Sequence, residues 1–140
     1  MDQINIKFAS RSVNESFSRM VVSAFAMRFD PTIEELSELK TAVSEAVTNA
    51  IVHAYTDKTG YITMKLSSTD DNVIKITIKD NGSGIENIDL ARTPCFSTGA
   101  EDRAGMGFTI MESFTDKLRV KSSPGKGTTI IMEKRIVKRK

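Results

Sequence analysis

Apolar and polar residues alternate in five short segments of the chain, as they do in strands that bury one face. The segments cover residues 4–8, 61–66, 73–79, 118–121 and 128–136. Turn-forming residues separate the second segment from the third at 69–72, and the fourth from the fifth at 123–127. The pattern therefore predicts one leading strand, followed later by two hairpins.

A first helix is expected directly after the leading strand. Ser12 and Glu15 have the spacing of a capping box, and the Asp30-Pro31 pair marks the end, because the residue before proline avoids the helical region. The apolar residues of its predicted core face are Phe17, Met20, Val21, Ala24 and Phe25.

A second helix follows, and Thr32 and Glu35 repeat the capping-box spacing at its start. Helical periodicity continues to about Ala54. The predicted core stripe consists of Leu36, Leu39, Val43, Ala46, Val47, Ala50 and Ala54.

The segment between the two hairpins is less regular. Residues 86–92 can form a short helix, residues 93–107 are predicted as a long loop, and a further helix is expected after Gly107. Loops of that length in a compact domain commonly act as lids. Together the elements predict a single domain over residues 1–140 with an α+β fold. Its architecture is a two-layer sandwich with a mixed, mostly antiparallel sheet and helices on one face.

Composition narrows the classes of protein. The 140 residues are 39% apolar and 27% charged, which is typical of a globular chain. One Cys and one His exclude an intramolecular disulfide and a multi-histidine metal site. Neither a membrane-length apolar run nor a signal-peptide core is found, so we expect a cytoplasmic protein without a membrane partner.

The net charge of +2 is unevenly distributed along the chain. Five basic residues fall among the last seven, and these are Lys134, Arg135, Lys138, Arg139 and Lys140. The rest of the chain carries a net −3, so the sequence predicts no direct contact with nucleic acid. The basic end is expected to be solvated and partly frayed.

Glu45, Asn49 and His53 recur at intervals of four residues, so the second helix carries them on one ridge. A carboxylate can act as a general base, and an amide oxygen is a hard ligand for Mg²⁺. Both groups suit phosphoryl transfer. An ordinary solvent-facing side of a helix would show the same pattern.

Three glycine-containing segments follow along the chain. An Asp at a strand end, as in Asp80–Gly84, can accept a hydrogen bond from an exocyclic amine such as that of adenine. Glycines that lead into a helix, as in Arg103–Gly107, favour an anion, and Arg103 adds a planar cation. Gly127-Thr128 opens the last strand. Each segment alone is also compatible with a plain turn, and none has the spacing of a Walker loop or a dinucleotide fingerprint.

In this order the segments resemble the ATP-binding domain shared by gyrase, the histidine kinases and MutL. Glu45–Tyr55 matches its N box, Asp80–Gly84 its DxGxG box, Gly105–Gly107 its GxG box and Gly127-Thr128 its last box. The resemblance covers nearly the whole chain.

Within that superfamily the chain is most similar to the bacterial switch-protein serine kinases that act as anti-sigma factors. The stretches Ser44–Tyr55 and Arg103–Glu112 carry this similarity. The opening stretch Phe8–Phe17 points to the sporulation branch, and the general-stress branch is the alternative.

The resemblance implies roles for the matching residues. Glu45 would take the proton from the substrate serine, and Asn49 would bind the Mg²⁺ that bridges the phosphates of ATP. Asp80 would bind the adenine amino group, with Thr128 nearby through a water. The glycines that would let the chain pass close to the base are Gly82 and Gly84.

The lid that the resemblance implies runs from Ser97 to Gly107. Its nucleotide-binding residues would be Ser97, Thr98, Gly99, Arg103, Gly105, Met106 and Gly107. The glycine N–H groups would face phosphate, and Arg103 would neutralise charge on the γ-phosphate. Gly99-Ala100 stands where relatives have Lys-Pro, which is a departure within the lid.

The implied reaction is transfer of the ATP γ-phosphate to a serine of a small anti-anti-sigma protein. A homodimer loaded with ATP would hold a sporulation sigma factor away from RNA polymerase until the unphosphorylated antagonist displaces it. Glu15 and Arg19, on the polar side of the first helix, are the expected partner contacts.

Two alternatives remain open. One is a non-catalytic, ATP-gated binding module. The other is a histidine-kinase catalytic domain, for which the chain offers only His53 and no room for a phospho-accepting helix.

Overall fold

The structure is a computed structural model that describes residues 2–55, 59–85, 88, 92 and 104–137. Its strands are β1 (Gln3–Ala9), β2 (Tyr61–Ser68), β3 (Val73–Asp80), β4 (Lys117–Ser123) and β5 (Gly127–Arg135). They form one sheet in the order β1-β2-β3-β5-β4, and every pair is antiparallel. The alternating segments thus become strands in the predicted places. The expected short helix at 86–92 lies almost wholly outside the described residues.

The helices are α1 (Val13–Ala26), α2 (Ile33–Asn49) and α3 (Ala104–Phe114). A 3₁₀ turn, Met27–Phe29, follows α1, and a π-helical segment, Ala50–Ala54, continues α2. Contacts join α2 to both α1 and α3, so α2 is the central helix of its layer. One face of each central strand is buried against this layer, which confirms the predicted α+β fold.

The second predicted capping box is confirmed. Thr32 Oγ1 accepts from the Glu35 N–H at 3.0 Å, and Glu35 Oε1 accepts from the Thr32 N–H at 2.8 Å. The predicted core stripe of α2 is buried from Leu39 to Ala50, while Leu36 and Ala54 are half-buried. This central helix therefore has a fixed start and a fixed rotation, which orients the ridge on its other side.

The predicted core face of α1 is confirmed only in part, since Phe25 is buried and Val21 packs half-buried against the core. Phe17 is 50% exposed and Met20 is 71% exposed, whereas the buried residues are Ser18, Val22, Phe25 and Ala26. Burial of a serine costs little here because the Ser18 hydroxyl donates to the Glu15 carbonyl oxygen at 2.6 Å. The first capping box is also absent, since the Ser12 side chain makes no cap hydrogen bond.

As a result α1 carries an exposed apolar stripe along its outer side. The stripe consists of Val13, Phe17, Met20, Ala24 and Met27, which is a heptad-like spacing. We call it the α1 stripe.

The basic end of the chain is only partly as expected. Lys134 and Arg135 belong to β5 rather than to a frayed end. Lys134 is buried, and its Nζ donates to Glu38 Oε1 at 3.0 Å and to the Phe114 carbonyl oxygen at 3.1 Å. Residues 138–140 lie outside the described part of the chain. No helix in the described ranges has the length and apolar content needed to cross a bilayer.

Candidate functional site

A buried carboxylate lies at the end of the central strand β3. Asp80 is 6% exposed, and its Oδ1 accepts from the backbone N–H of Gly82 at 2.9 Å and of Thr128 at 3.2 Å. Burial raises the pKa of Asp80 above its usual value of 3.8, and the two hydrogen bonds act in the opposite direction. The Asp80 carboxylate is therefore a hydrogen-bond acceptor held in a fixed position, and its burial makes its negative charge unfavourable.

We expect Asp80→Asn to increase stability near neutral pH, because the amide keeps an oxygen for both N–H donors and carries no charge. The folded-state pKa of Asp80 is raised, so its ionisation costs stability as the pH rises from 3.8 through that folded-state pKa. In urea titrations between about pH 4 and pH 8, the variant's excess free energy of unfolding should grow with pH and then level off. If the difference in free energy of unfolding between variant and wild type does not change with pH, the pKa of Asp80 is not raised in the folded protein.

The turn after Asp80 packs tightly against neighbouring backbone. A Cβ on Gly82 would collide with the carbonyl oxygen of Ala54, and the Ser83 N–H donates to that same oxygen at 3.1 Å. Gly84 has φ +79°, and a Cβ there would collide with the carbonyl oxygen of Ser123. The resemblance implied that these glycines let the chain pass close to the adenine base, and that stays a prediction. In the structure, the close neighbours of both glycines are backbone atoms of the protein itself.

Thr128 lies beside Asp80, since the two residues are paired across β3 and β5. The Thr128 hydroxyl is 2.8 Å from the Ser122 hydroxyl. The Ser122 hydroxyl donates to the Gly127 carbonyl oxygen at 2.9 Å and accepts from the Ile85 N–H at 2.8 Å. Ser122 was not singled out from the sequence, because a serine inside an edge strand gives no distinctive signal. It fixes the position of the hydroxyl of Thr128, the residue paired with Asp80.

Tyr55 ends the stretch that matches the N box, but the sequence assigned it no role of its own. Its hydroxyl accepts from the Asn81 N–H at 2.7 Å and donates to the Tyr61 carbonyl oxygen at 2.8 Å. A Cβ on Gly60 would collide with its ring. A tyrosine directly after a helix, with a glycine before the next strand, was the available signal. Its hydroxyl joins the end of the α2 extension to the turn after β3.

A second group of predicted site residues lies where α2 meets α3. A Cβ on Gly107 would lie 3.3 Å from both terminal atoms of the Asn49 side chain and 3.4 Å from Oε1 of Glu45. The helix α3 begins at Ala104, so the GxG segment forms its first turn and does not precede the helix as predicted. N–H groups of a first helical turn have no intrahelical acceptor. A carboxylate, an amide and the start of a helix therefore come together, and helix starts in general favour anions.

The two groups are neighbours along α2. Ala54, which contacts the turn after Asp80, is five residues beyond Asn49 on the π-helical continuation of α2. The third residue of the ridge, His53, accepts a hydrogen bond from the Ser83 hydroxyl at its carbonyl oxygen, at 3.2 Å. The buried Asp80 carboxylate and the group formed by Glu45, Asn49 and Gly107 therefore lie near the same end of α2.

The outcome differs among the other predicted residues. Ser97, Thr98, Gly99 and Arg103 lie outside the described residues, and Gly105 and Met106 are in the first turn of α3. Glu15 and Arg19 form an ion pair on α1, with Oε2 and Nε 2.7 Å apart. Within the described ranges, no group of three His, Cys, Asp or Glu could hold a metal ion by itself.

Comparisons with known proteins agree with this geometry. The family model of the histidine kinase-like ATPase domain matches residues 9–134. An anti-sigma F factor of Caldanaerobacter subterraneus subsp. tengcongensis is 54% identical over 136 residues, covering 96% of this chain and 94% of the relative. An anti-sigma F factor of Geobacillus thermodenitrificans is 49% identical over 140 residues, covering 99% and 96%.

Solved structures show the same fold. The RsbU and RsbW domains of Rv1364c from Mycobacterium tuberculosis match 97% of this chain with a TM-score of 0.71 and 18% identity. This chain spans about a third (33%) of that structure's length. Full-length ShkA in complex with AMPPNP matches 89% of this chain with a TM-score of 0.60 and 17% identity.

The chain therefore belongs to the histidine kinase-like ATPase domain family, whose members are kinase-type ATP-binding domains. Within that family, its identity over nearly the whole length places it among the anti-sigma F factors.

Proposed function

We propose that this protein is a single ATP-binding domain that transfers the γ-phosphate of ATP to a serine of an anti-anti-sigma protein. The observation that carries the proposal is the proximity of the Glu45 and Asn49 side-chain ends to Gly107, in the first turn of α3. Such a place offers a base, a hard ligand and phosphate-binding N–H groups, which is what phosphoryl transfer requires of the protein.

The nucleotide would lie along α2. Asp80 would accept from the adenine amino group with the oxygen that its two backbone donors leave free, and the Thr128 hydroxyl would lie next to that contact. The triphosphate would then extend towards Asn49 and the start of α3. Glu45 would accept the proton of the attacking serine hydroxyl, whose oxygen forms the new bond to phosphorus while the bond to ADP breaks.

The donor set also fits Mg²⁺ held mainly by nucleotide phosphates. The amide oxygen of Asn49 is the hard ligand that this part of the site provides, and no acidic cluster accompanies it among the described residues. Magnesium with few protein ligands is common at nucleotide sites. When bound, the ion offsets the charge on the transferred phosphoryl group.

The partners in the proposal are a sporulation sigma factor, sigma F, and its serine-bearing antagonist, with the protein acting as a homodimer. The general-stress pair is the alternative. The names of the relatives support a sigma-factor partner. Glu15 and Arg19 would contact the partner from α1, and the α1 stripe supports an assembly that covers apolar surface on this helix.

One experiment separates the proposal from its alternatives. The protein is incubated with labelled ATP, magnesium, purified sigma F and a candidate antagonist, alongside an antagonist whose acceptor serine is replaced by alanine. We expect label on the serine of the antagonist alone and retention of sigma F only when ATP is present. ATP-dependent retention without any transfer would instead indicate a gated binding module. Label on His53 would indicate a histidine kinase.

A further inference from the structure

The face of the sheet that points away from the helices is strongly basic. Strand residues alternate between the two faces, so every second residue of each strand lies on this open face. In β2 and β3 the exposed positions include Lys65, Lys75 and Lys79. Their neighbours on the same face are mainly Thr and Ser.

The outer strands continue the pattern. Lys7 lies on the open face of β1, Lys117, Arg119 and Lys121 lie on that of β4, and Arg135 ends β5. All of these side chains are exposed.

Glu133 is the one acidic residue on the open face, against eight basic ones, which gives the face a net charge of +7. Since the whole chain carries +2, all its remaining residues together carry −5. The net charge of the chain conceals this segregation, which is why the sequence predicted no nucleic-acid surface.

The cations are arranged in rows across the sheet. The register places Lys7, Lys79 and Lys121 in one row, on alternate strands. Alternate strands are about 9.6 Å apart, and same-face residues on a strand are about 6.7 Å apart. Within the described part of the chain, none of the eight forms an ion pair with a carboxylate. Glu133 lies opposite both Lys75 and Lys117 in the strand register, so part of the repulsion is offset there. An anionic ligand would offset the repulsion that remains among the cations.

The composition of the face indicates which polyanion fits. Protein interfaces are enriched in aromatic residues and Met and depleted in Lys, whereas Tyr61 is the one aromatic residue on this lysine-rich face. A bilayer is flat, but adjacent strands of a sheet rotate by about 20–25°, so the cations do not share a plane. Stacking of single-stranded bases needs free aromatic rings, and Lys7 Nζ lies 4.8 Å from the Tyr61 ring centroid.

We propose that the open face of the sheet binds duplex nucleic acid through its phosphates, without sequence specificity. A duplex carries one charge per about 1.7 Å of axis, so a length of about 20 Å that matches the width of the sheet supplies about twelve phosphates. Lysine-rich contacts to phosphate position a protein without selecting bases. The site is on the opposite side of the sheet from Asp80 and Glu45, so duplex and nucleotide can bind together.

Anisotropy of a labelled 30-base-pair DNA duplex, titrated with the full chain at several salt concentrations, tests this proposal. If about five cations contact phosphates, log K should fall against log salt with a slope of about −4.5, or about 500-fold between 50 and 200 mM. Two duplexes of unrelated sequence should bind equally. The double variant Lys65→Gln, Lys75→Gln should reduce the magnitude of the slope by about 1.8.

Two control variants remove the same charge elsewhere. The first control is the double variant Arg11→Gln, Lys40→Gln, whose positions are not on the open face. The second is the double variant Lys138→Gln, Arg139→Gln, whose positions belong to the basic end of the sequence. Both should keep the slope, and thermal melting should show that all three variants fold. The proposal is overturned by absence of binding at 50 mM salt, or by equal losses in the face variant and a control. It is also overturned if the chain binds vesicles of phosphatidylserine or a polyglutamate peptide, and not the duplex.

Discussion

Replacing Glu45 by glutamine should reduce phosphoryl transfer to the antagonist by about 100- to 10,000-fold while leaving ATP affinity nearly unchanged. The amide has the same shape, so contact with Gly107 persists, but it cannot accept a proton at neutral pH. Single-turnover transfer of labelled phosphate gives the rate, and calorimetry with Mg·ATP gives the affinity.

The matched control is Glu34→Gln, which removes the same charge from an exposed position in the first turn of the same helix. It should transfer phosphate at the wild-type rate. Undiminished transfer by the Glu45 variant would show that the base lies elsewhere, and a parallel loss of ATP affinity would show that Glu45 acts in binding.

Asp80→Asn should weaken ATP binding by about 100-fold. The carboxylate oxygen that would accept from the adenine amino group becomes an amide N–H, so a hydrogen bond to a charged group is replaced by two facing donors. Calorimetry with ATP measures the loss. Inosine triphosphate has a carbonyl in place of that amino group, so the variant should prefer it, whereas the wild type should prefer ATP.

The stability expected for this variant makes the result interpretable. If Asp80→Asn is at least as stable as the wild type at neutral pH, unfolding cannot explain weak ATP binding. Equal affinity of wild type and variant for both nucleotides would remove Asp80 from the adenine contact and leave it as a structural acceptor for Gly82 and Thr128.

The strands were predictable because alternation is a local property. In β2 and β3, apolar residues at every second position leave one way to bury a face, and the turn at 69–72 fixes the pairing. The capping box at Thr32 was predictable for the same reason, since both partners lie within one turn.

The rotation of α1 was not predictable from its apolar residues. Two faces of this helix are apolar, and the choice depends on which one meets α2. The buried face contains Ser18, whose hydroxyl is satisfied within the helix, while Phe17 and Met20 face outwards. Hydrophobicity alone ranks these residues in the opposite order.

The site was predictable in part. Asp80 and Thr128 are 48 residues apart in sequence, and only the β3–β5 pairing brings them together. The resemblance implied that both residues lie near adenine, but it did not give the strand pairing. It assigned no role to the hydroxyl groups of Tyr55, which ends the N box, and of Ser122. The basic open face arises because the register of all five strands brings distant cations to one side of the sheet. A count of charges along the chain cannot show this grouping.

The π-helical segment Ala50–Ala54 restricts how the length of this chain can vary. A π turn contains one residue more than an α turn would, so deletion of a residue there would restore regular geometry but rotate the positions that follow. The Ala54 carbonyl oxygen and the Tyr55 hydroxyl would then miss Ser83 and Asn81. Homologous proteins should therefore show insertions and deletions in the exposed 69–72 hairpin turn and a constant residue count between Asn49 and Tyr55.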